Sequence, residues 1–412
     1  MSRILDVYLQ EHLAGNLEQT DSGELAFTYD ADYLNTASHG ISLSLPLQAE
    51  TFKGARVGAF FSGLLPEESV RERLAKYLGL SERNSFALLE AVGGDCAGAL
   101  ALYPHGERPA EISDDVEILD DVRLKEILDM IRRRPMLAGE DGCRLSLAGA
   151  QDKLAVGFHK GRVLLIKGGA PTTHILKPVI WRVEDSVHNE LFCMKLARMA
   201  GIDVPDASLH FVDDALYYLV ERYDRRVDQN GTVIRIHQED FCQALGIAPE
   251  IKYEREGGPA VAACQDVISK HAARPATDQI KLLNIILFNY LVGNADAHGK
   301  NFSLLYKGNK PELAPAYDLL STAIYPDLSK EMAMKIGGEY KPNEVCVRHF
   351  HKLVADTKAA QSAMNRQIKI MRDKMMDAAS DLKANLSADG LTSRVFNKII
   401  TIIEGRSKRL GE

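Results

Sequence analysis

With 412 residues, 46% hydrophobic and 26% charged, the chain is long enough for two or three domains with sizeable cores, and its composition excludes a disordered or fibrous protein. No apolar run approaches the ~20 residues a membrane helix needs, and the charged opening MSRILDVYLQEH lacks a signal-peptide core, so a cytoplasmic location with no membrane partner is expected. A net charge of −7 argues against a domain that grips a phosphate backbone by itself.

In chain order, residues 1–104 read as a small α+β module. Segments 4–9 and 24–29 are expected to pair as strands around Asp21-Ser22-Gly23, and 41–47 alternates apolar and polar like a half-buried strand. A helix opens at Leu65-Pro66-Glu67-Glu68, a second covers 85–91 and stops at Gly93-Gly94, and 97–103 is a strand. The polar stretch 105–115 reads as a linker. A helix over 122–133 ends at Pro135.

A β-rich block follows to Asp224. Residues 144–156 read as strand, small-residue turn and strand; 163–167 and 173–178 are strands, 186–199 a helix, and 209–212 and 217–220 strands. A small-residue turn can bring backbone N–H groups to phosphate oxygens. Lys177 can reach phosphates as a point charge, with Glu190 on the following helix to orient it. A plain hairpin and a solvated lysine are the bland alternatives. Beyond Arg225 the pattern turns helical: a short helix over 238–245, a polar loop at 252–259, a helix from 259 to 271, and a helix over 278–291 that looks apolar all round and therefore buried. Segment 332–336 looks strand-like, and the last seventy residues are helical.

The helix over 278–291 leads into LVGNADAHGKNFSLLYKGNKPELAPAYDLL, residues 291–320. Asp296, then Asn301 five residues on, then Asp318 is the order that phosphoryl transfer to a hydroxyl requires. Asp296 would accept the hydroxyl proton, and Asn301 and Asp318 would hold Mg2+, a hard cation that takes oxygen ligands. Gly299 is expected to turn the loop back. Strands at 302–306 and 313–317 would then bring Asp318 beside Asn301. The six cysteines are scattered without a C-x-x-C pair, which points to reduced, mostly buried thiols.

The chain resembles the HipA-family serine/threonine kinases, the toxin half of bacterial toxin–antitoxin pairs. The resemblance rests on SLAGAQDKLAV (146–156), THILKP (173–178), VERYDRR (220–226), HQEDFCQALG (237–246), KYEREGGP (252–259), DAHGKNFS (296–303) and PAYD (315–318), with SLSLPL (42–47) and LLPEESVRERLA (64–75) in the N-terminal module. It implies an α+β, two-lobed protein-kinase-like fold. Residues 1–104 would form the extra N-terminal subdomain, 105–225 the β-rich N-lobe, and 226–412 an all-helical C-lobe. It implies Asp296 as catalytic base, Asn301 and Asp318 as Mg2+ ligands, and ATP contacts from Ala148, Gly149, Ala150, Gln151, Asp152, Lys153, Lys177, Glu221, Arg222, Tyr223, His298, Gly299, Lys300, Asn301, Tyr317 and Asp318. Ser146 would be the site of an inactivating autophosphorylation.

The implied partners are a HipB-like helix-turn-helix antitoxin, operator DNA reached mainly through it, and a protein substrate of the aminoacyl-tRNA synthetase class. Against ordinary protein kinases the chain lacks G-x-G-x-x-G, having Ala148-Gly149-Ala150, and lacks D-F-G, since Leu319-Leu320 follows Asp318. A small-molecule phosphotransferase, which uses a similar acid–amide–acid set, and a non-catalytic corepressor are the alternative functions.

Overall fold

A computed structural model describes residues 3–108, 116–140 and 142–411. The chain divides into two compact units, one of Met1–Pro178, His210–Glu250 and Ser303–Pro311, the other of Val179–Leu209, Ile251–Phe302 and Glu312–Glu412. Of the predicted linker 105–115, residues 109–115 lie outside the described ones.

The first unit begins with β1 (Arg3–Leu9), β2 (His12–Gln19), β3 (Leu25–Tyr29), α1 (Ala31–Thr36), β4 (Phe52–Lys53), α2 (Ala55–Ser62), α3 (Glu68–Leu78), α4 (Ser85–Val92) and β5 (Leu100–Pro104). The strands form one sheet in the order β4-β3-β2-β1-β5. Phe27, Phe60, Phe61 and Phe86 are fully buried at its core. The expected pairing of 4–9 with 24–29 is not found: β2 lies between them and pairs with both. Its sequence, HLAGNLEQ, hides a strand behind Gly15 and Asn16, which have low strand propensity. Gly15 is required sterically, since a Cβ there would sit 2.2 Å from the Thr28 carbonyl oxygen.

Segment 41–47 is not a strand either, and makes only an isolated bridge between Ser42 and Leu45. Its serines are buried rather than solvated. Ser42 Oγ donates to Glu239 Oε2 (2.5 Å), Leu43 N donates to Glu239 Oε1 (3.0 Å), and Ser44 Oγ donates to the Gln243 carbonyl (2.7 Å).

The second part of this unit contains β6 (Val116–Ile118), α5 (Asp121–Ile131), β7 (Leu154–His159), β8 (Arg162–Ile166) and β9 (His174–Pro178). After α6 (Ser186–Ala200), which belongs to the other unit, come β10 (Ala207–Val212) and β11 (Ala215–Glu221). Strands run in the order β11-β9-β7-β8-β6. Leu124, Ile127, Leu128 and Ile131 of α5 are buried in a core with Leu154, Val156, Leu165 and Leu176. The predicted strand before Leu154 is absent. Residues 144–149 instead run irregularly, touching Asp95 and Pro66 through single parallel bridges from Leu145 and Gly149.

After β12 (Arg225–Val227) and β13 (Val233–Arg235), residues 238–240 are strand rather than the start of a helix. They belong to β14 (His237–Asp240), and α7 (Phe241–Leu245) begins behind an Asp240/Gln243 capping box.

Five charged side chains knit this unit together. The Asp95 carboxylate meets Arg222 (3.2 Å), Arg225 (2.8 Å) and Arg235 (3.1 Å), and Asp224 meets Arg222 (2.8 Å) and Arg225 (2.9 Å). Burial works to raise the pKa of Asp95, but the guanidinium groups of Arg225, Arg222 and Arg235 outweigh it and hold the carboxyl well below its ordinary value.

The second unit is mainly helical. It holds α6, α8 (Val261–His271), α9 (Pro275–Val292), the two-residue β16 (Glu312–Leu313), α10 (Val347–His351), α11 (Lys358–Ala388) and α12 (Arg394–Arg409), whereas β15 (Ser303–Tyr306) pairs with β14 in the first unit. Helix α11 packs on α6 and α12, and α9 on α8 and α12. Phe192 and Phe396 stack at 4.9 Å between ring centroids. Helix α9 is not buried all round, because Ile280 is 58% exposed. The predicted strand at 313–317 is irregular beyond Leu313, and 332–336 makes only an isolated bridge at Ile336. All six cysteines are free thiols, five of them buried. Among the described residues no helix is long and apolar enough to cross a membrane.

Two predictions follow from the buried charges of the first unit. Asp95→Ala leaves Arg222 and Arg225 to share the single carboxylate of Asp224 in a dry interior and should cost about 3–5 kcal/mol, read as a lowered urea midpoint. Burial raises the Glu239 carboxyl from 4.5 to about 7, against hydrogen bonds from Ser42, Tyr306 and Leu43 that favour the charged form. The folded state therefore holds a proton that the unfolded state releases. Stability should be greatest below the unfolded pKa and fall by about 3 kcal/mol as pH rises from about 4.5 to about 7. Glu239→Gln should remove that slope in denaturant titrations across the range.

Candidate functional site

Helix α9 ends at Gly293, whose φ of +85° suits glycine and whose missing Cβ leaves room for Ala323 and Ile402 at 2.8 and 2.9 Å. Most of the residues that follow are tied down by hydrogen bonds. Asn294 Nδ2 donates to Asn289 Oδ1 (3.0 Å), and Asp296 N donates to Asn294 Oδ1 (3.1 Å). Ala295 N donates to Thr322 Oγ1 (2.8 Å), and Ala333 N donates to the Ala295 carbonyl (2.7 Å). His298 N donates to the Asp296 carbonyl (2.8 Å) and to Asn301 Oδ1 (3.1 Å), and Asn301 N donates back to the His298 carbonyl (2.9 Å).

In this frame Asn294, Ala295, His298, Gly299 and Lys300 are buried and the Asp296 side chain is exposed. Its Oδ1 accepts a 2.8 Å hydrogen bond from the Tyr253 hydroxyl, and the Tyr253 ring stands edge-on to His298 with centroids 5.2 Å apart. The chain thus presents one carboxylate, oriented by a phenol, on a rigid support.

Gly299 serves differently from expectation. Its φ is not in the left-handed region. A Cβ there would sit 2.5 Å from Pro259 Cγ, so the glycine provides space rather than an unusual dihedral. Tyr317 Oη donates to the Lys300 carbonyl (2.6 Å), tying the Asp318 segment to the loop. Asp318 itself has φ +53°, a left-handed backbone that costs a non-glycine residue about 1 kcal/mol or more. Such strain persists where the surroundings over-determine it.

The other candidate residues belong to the first unit. Lys153 is buried, and its Nζ donates to the Ala148 carbonyl (2.7 Å), closing the 148–153 turn. Gly149, at φ +110°, accepts from Glu67 N at 3.1 Å. Asp152 pairs with Arg73, while Ala150 is exposed and Gln151 half-buried. Lys177, buried on β9, lies opposite Tyr218 of β11 with its Nζ 5.7 Å from the ring centroid, a cation–π contact.

Glu221 is exposed at the end of β11 and Tyr223 donates its hydroxyl to Gln238. The Arg222 guanidinium is committed to the Asp95–Asp224 network, so at this position only backbone is offered to a ligand. Ser146 is wholly buried: its Oγ donates to the Leu64 carbonyl (2.7 Å) and its N to the Asp95 carbonyl (3.0 Å). The residue that sequence reasoning did not assign to the site is Tyr253. Its signal lay in the KYEREGGP stretch, but nothing local says that a tyrosine 43 positions from Asp296 will hold it.

Comparison with known proteins agrees with this architecture. Residues 5–103 match the HipA N-terminal domain and residues 145–382 the HipA-like C-terminal domain. The chain is 42% identical to the Sinorhizobium fredii protein named "Putative kinase Y4mE" over 98% of each chain. It is 32% identical to the serine/threonine-protein kinase toxin HipA of Shewanella oneidensis, over 83% of this chain and 80% of that one. The fold superposes with a TM-score of 0.83 and 26% identity on a chain from the Shewanella oneidensis toxin–antitoxin complex of HipA, HipB and operator DNA, covering 98% of this chain and 97% of that one. The fold is accordingly α+β and kinase-like, and the chain belongs to the HipA family.

Proposed function

We propose that this chain is an ATP-dependent protein serine/threonine kinase acting as the toxin of a toxin–antitoxin pair in the cytoplasm. The observation that carries the reading is the Asp296 carboxylate, exposed on a loop whose neighbours are buried and held by Tyr253. Asp296 takes the proton of a substrate serine hydroxyl as its oxygen attacks the γ-phosphorus of ATP, and ADP leaves. The donor set fits Mg2+: Asn301 and Asp318 offer only hard oxygens, and water and phosphate oxygens complete such a site. When bound, the ion supplies positive charge to the phosphate oxygens.

Lys153 and Lys177 offer positive charge and the 148–152 turn offers backbone amides to the nucleotide phosphates. Backbone groups of residues 221–223 bind the adenine edge, and His298, Gly299, Lys300 and Tyr317 shape the remaining contacts. A HipB-like antitoxin and its operator DNA are the partners this reading supplies, with DNA contact falling mainly to the antitoxin because this chain carries a charge of −7. The substrate class is an aminoacyl-tRNA synthetase. Autophosphorylation at Ser146 requires Ser146 to leave its buried position, since the hydroxyl bonds the Leu64 carbonyl.

Peptide mass spectrometry after incubation of dephosphorylated protein with Mg-ATP tests the reading, with Asp296→Asn in parallel. Wild type should gain one phosphate on the Ser146 peptide and the variant none. No gain in wild type would shift the assignment to a small-molecule phosphotransferase or a silent corepressor. Gly299→Ala forces a Cβ against the rigid Pro259 ring. It should shift the loop and lower the phosphorylation rate about tenfold or more, measured as initial rates in the same assay.

A further inference from the structure

A cavity of about 450 Å³ opens in the second unit between the start of α10, the middle of α11 and the end of α12. None of the residues assigned above to ATP, Mg2+ or catalysis lines it. Four cationic side chains do: Arg348, Lys369, Arg372 and Arg409. Among the described residues, the only carboxylate within ion-pairing distance of any of them is Asp373, which meets Lys369 (3.0 Å) and Arg372 (3.1 Å). Among the described residues, four cations against one carboxylate leave a balance of three positive charges around one opening.

Helix-dipole compensation accounts for two of them at most. Arg409 stands in the last turn of α12 and Arg348 in the single turn of the five-residue α10, where a cation is favoured. It does not account for the pair on α11. Like charges gathered in a concavity repel one another and focus a positive field that an anion relieves. The wall between them is apolar, made by Val347, Ile368 and Leu410. The volume lies within the roughly 300–1,000 Å³ of small-molecule sites. Arginine forks match phosphate oxygens, and aliphatic surface suits an organic body.

We propose that this cavity is a second ligand site, which takes a small molecule bearing two or more phosphate groups. The phosphates lie on Arg348, Arg372, Arg409 and Lys369, and the organic part lies against Val347, the half-buried apolar residue of the lining, and the edges of the buried Ile368 and Leu410. The inference is independent of the kinase reading, because no catalytic residue takes part.

Cys346 gives a local reporter. It lines the cavity, and it is the one cysteine of six that is not buried. Its alkylation by iodoacetamide can be followed by peptide mass spectrometry on the full chain, with inorganic tripolyphosphate as the probe. At about ten times its dissociation constant the probe should slow alkylation about tenfold, while sodium chloride of equal ionic strength should not. The double variant Arg348→Ala/Arg409→Ala, both exposed positions, should alkylate at the unprotected rate with or without probe and keep the wild-type melting temperature. Absence of protection in wild type, equal slowing by sodium chloride, or undiminished protection in the folded double variant would each overturn the proposal.

Discussion

Asp95 is the residue on which the first unit depends. Its carboxylate gathers Arg222, Arg225, Arg235 and the Thr172 hydroxyl. Its backbone accepts from Ser146 N and donates to the Arg144 carbonyl. One residue at the end of the N-terminal module thereby fixes the entry to the 146–153 turn and the exit of β11. Burying four charges, with Arg235 half-buried beside them, is costly in itself, and such a network is strongest when every member is satisfied. Here Gly98 N donates to Asp224 (2.7 Å) and the Cys96 and Gly98 carbonyls accept from the two arginines, which leaves the Arg225 Nε as the one orphaned buried donor of the network among the described residues. The gain is specificity of placement: the segments that carry Ser146, Gly149 and Arg222 have no strand ladder to hold them, and the ion network takes its place.

The second unit holds its loop through backbone hydrogen bonds. Under the proposed function Asp296 must stay accessible and yet be held to a fraction of an ångström. Ala295 contributes both its N–H and its carbonyl to neighbours, and the loop closes on itself through His298 and Asn301. With backbone groups satisfied on both sides of Asp296, the exposed side chain has only its own torsions left, and Tyr253 restrains those. The left-handed backbone at Asp318 fits this picture, since strain of that kind survives only on a rigid frame.

What the sequence made legible follows from where the information lies. Long periodic helices such as α9 and α11 and apolar strands such as β9 and β11 carry their pattern locally, and the acid–amide–acid spacing stands in one thirty-residue stretch. Segments set by distant partners were not legible. Residues 41–47 alternate like a strand, but their serines bind Glu239 and Gln243 about two hundred positions away. Gly15 weakens the strand signal of β2 because a neighbouring strand comes too close for any side chain. Arg222 stands among the expected ATP contacts, and nothing local says that Asp95, 127 positions earlier, holds its guanidinium in the interior.

The position of Ser146 shows how a single hydroxyl joins these themes. Unmodified, it is a structural group: wholly buried, donating to Leu64, with its amide on Asp95. A phosphate there would add about two negative charges and three acceptor oxygens at a place whose one available hydrogen-bond partner is a carbonyl, itself an acceptor. Neither burial nor pairing could be kept, because the neighbouring guanidinium groups are already committed to Asp95 and Asp224. Under the proposed function the modified segment must therefore leave the interior. It would take with it the Gly149 carbonyl that anchors Glu67 and the Ala148 carbonyl that anchors Lys153. The irregular backbone of residues 144–149, which no sheet restrains, is what makes such a departure affordable without unfolding the strands on either side.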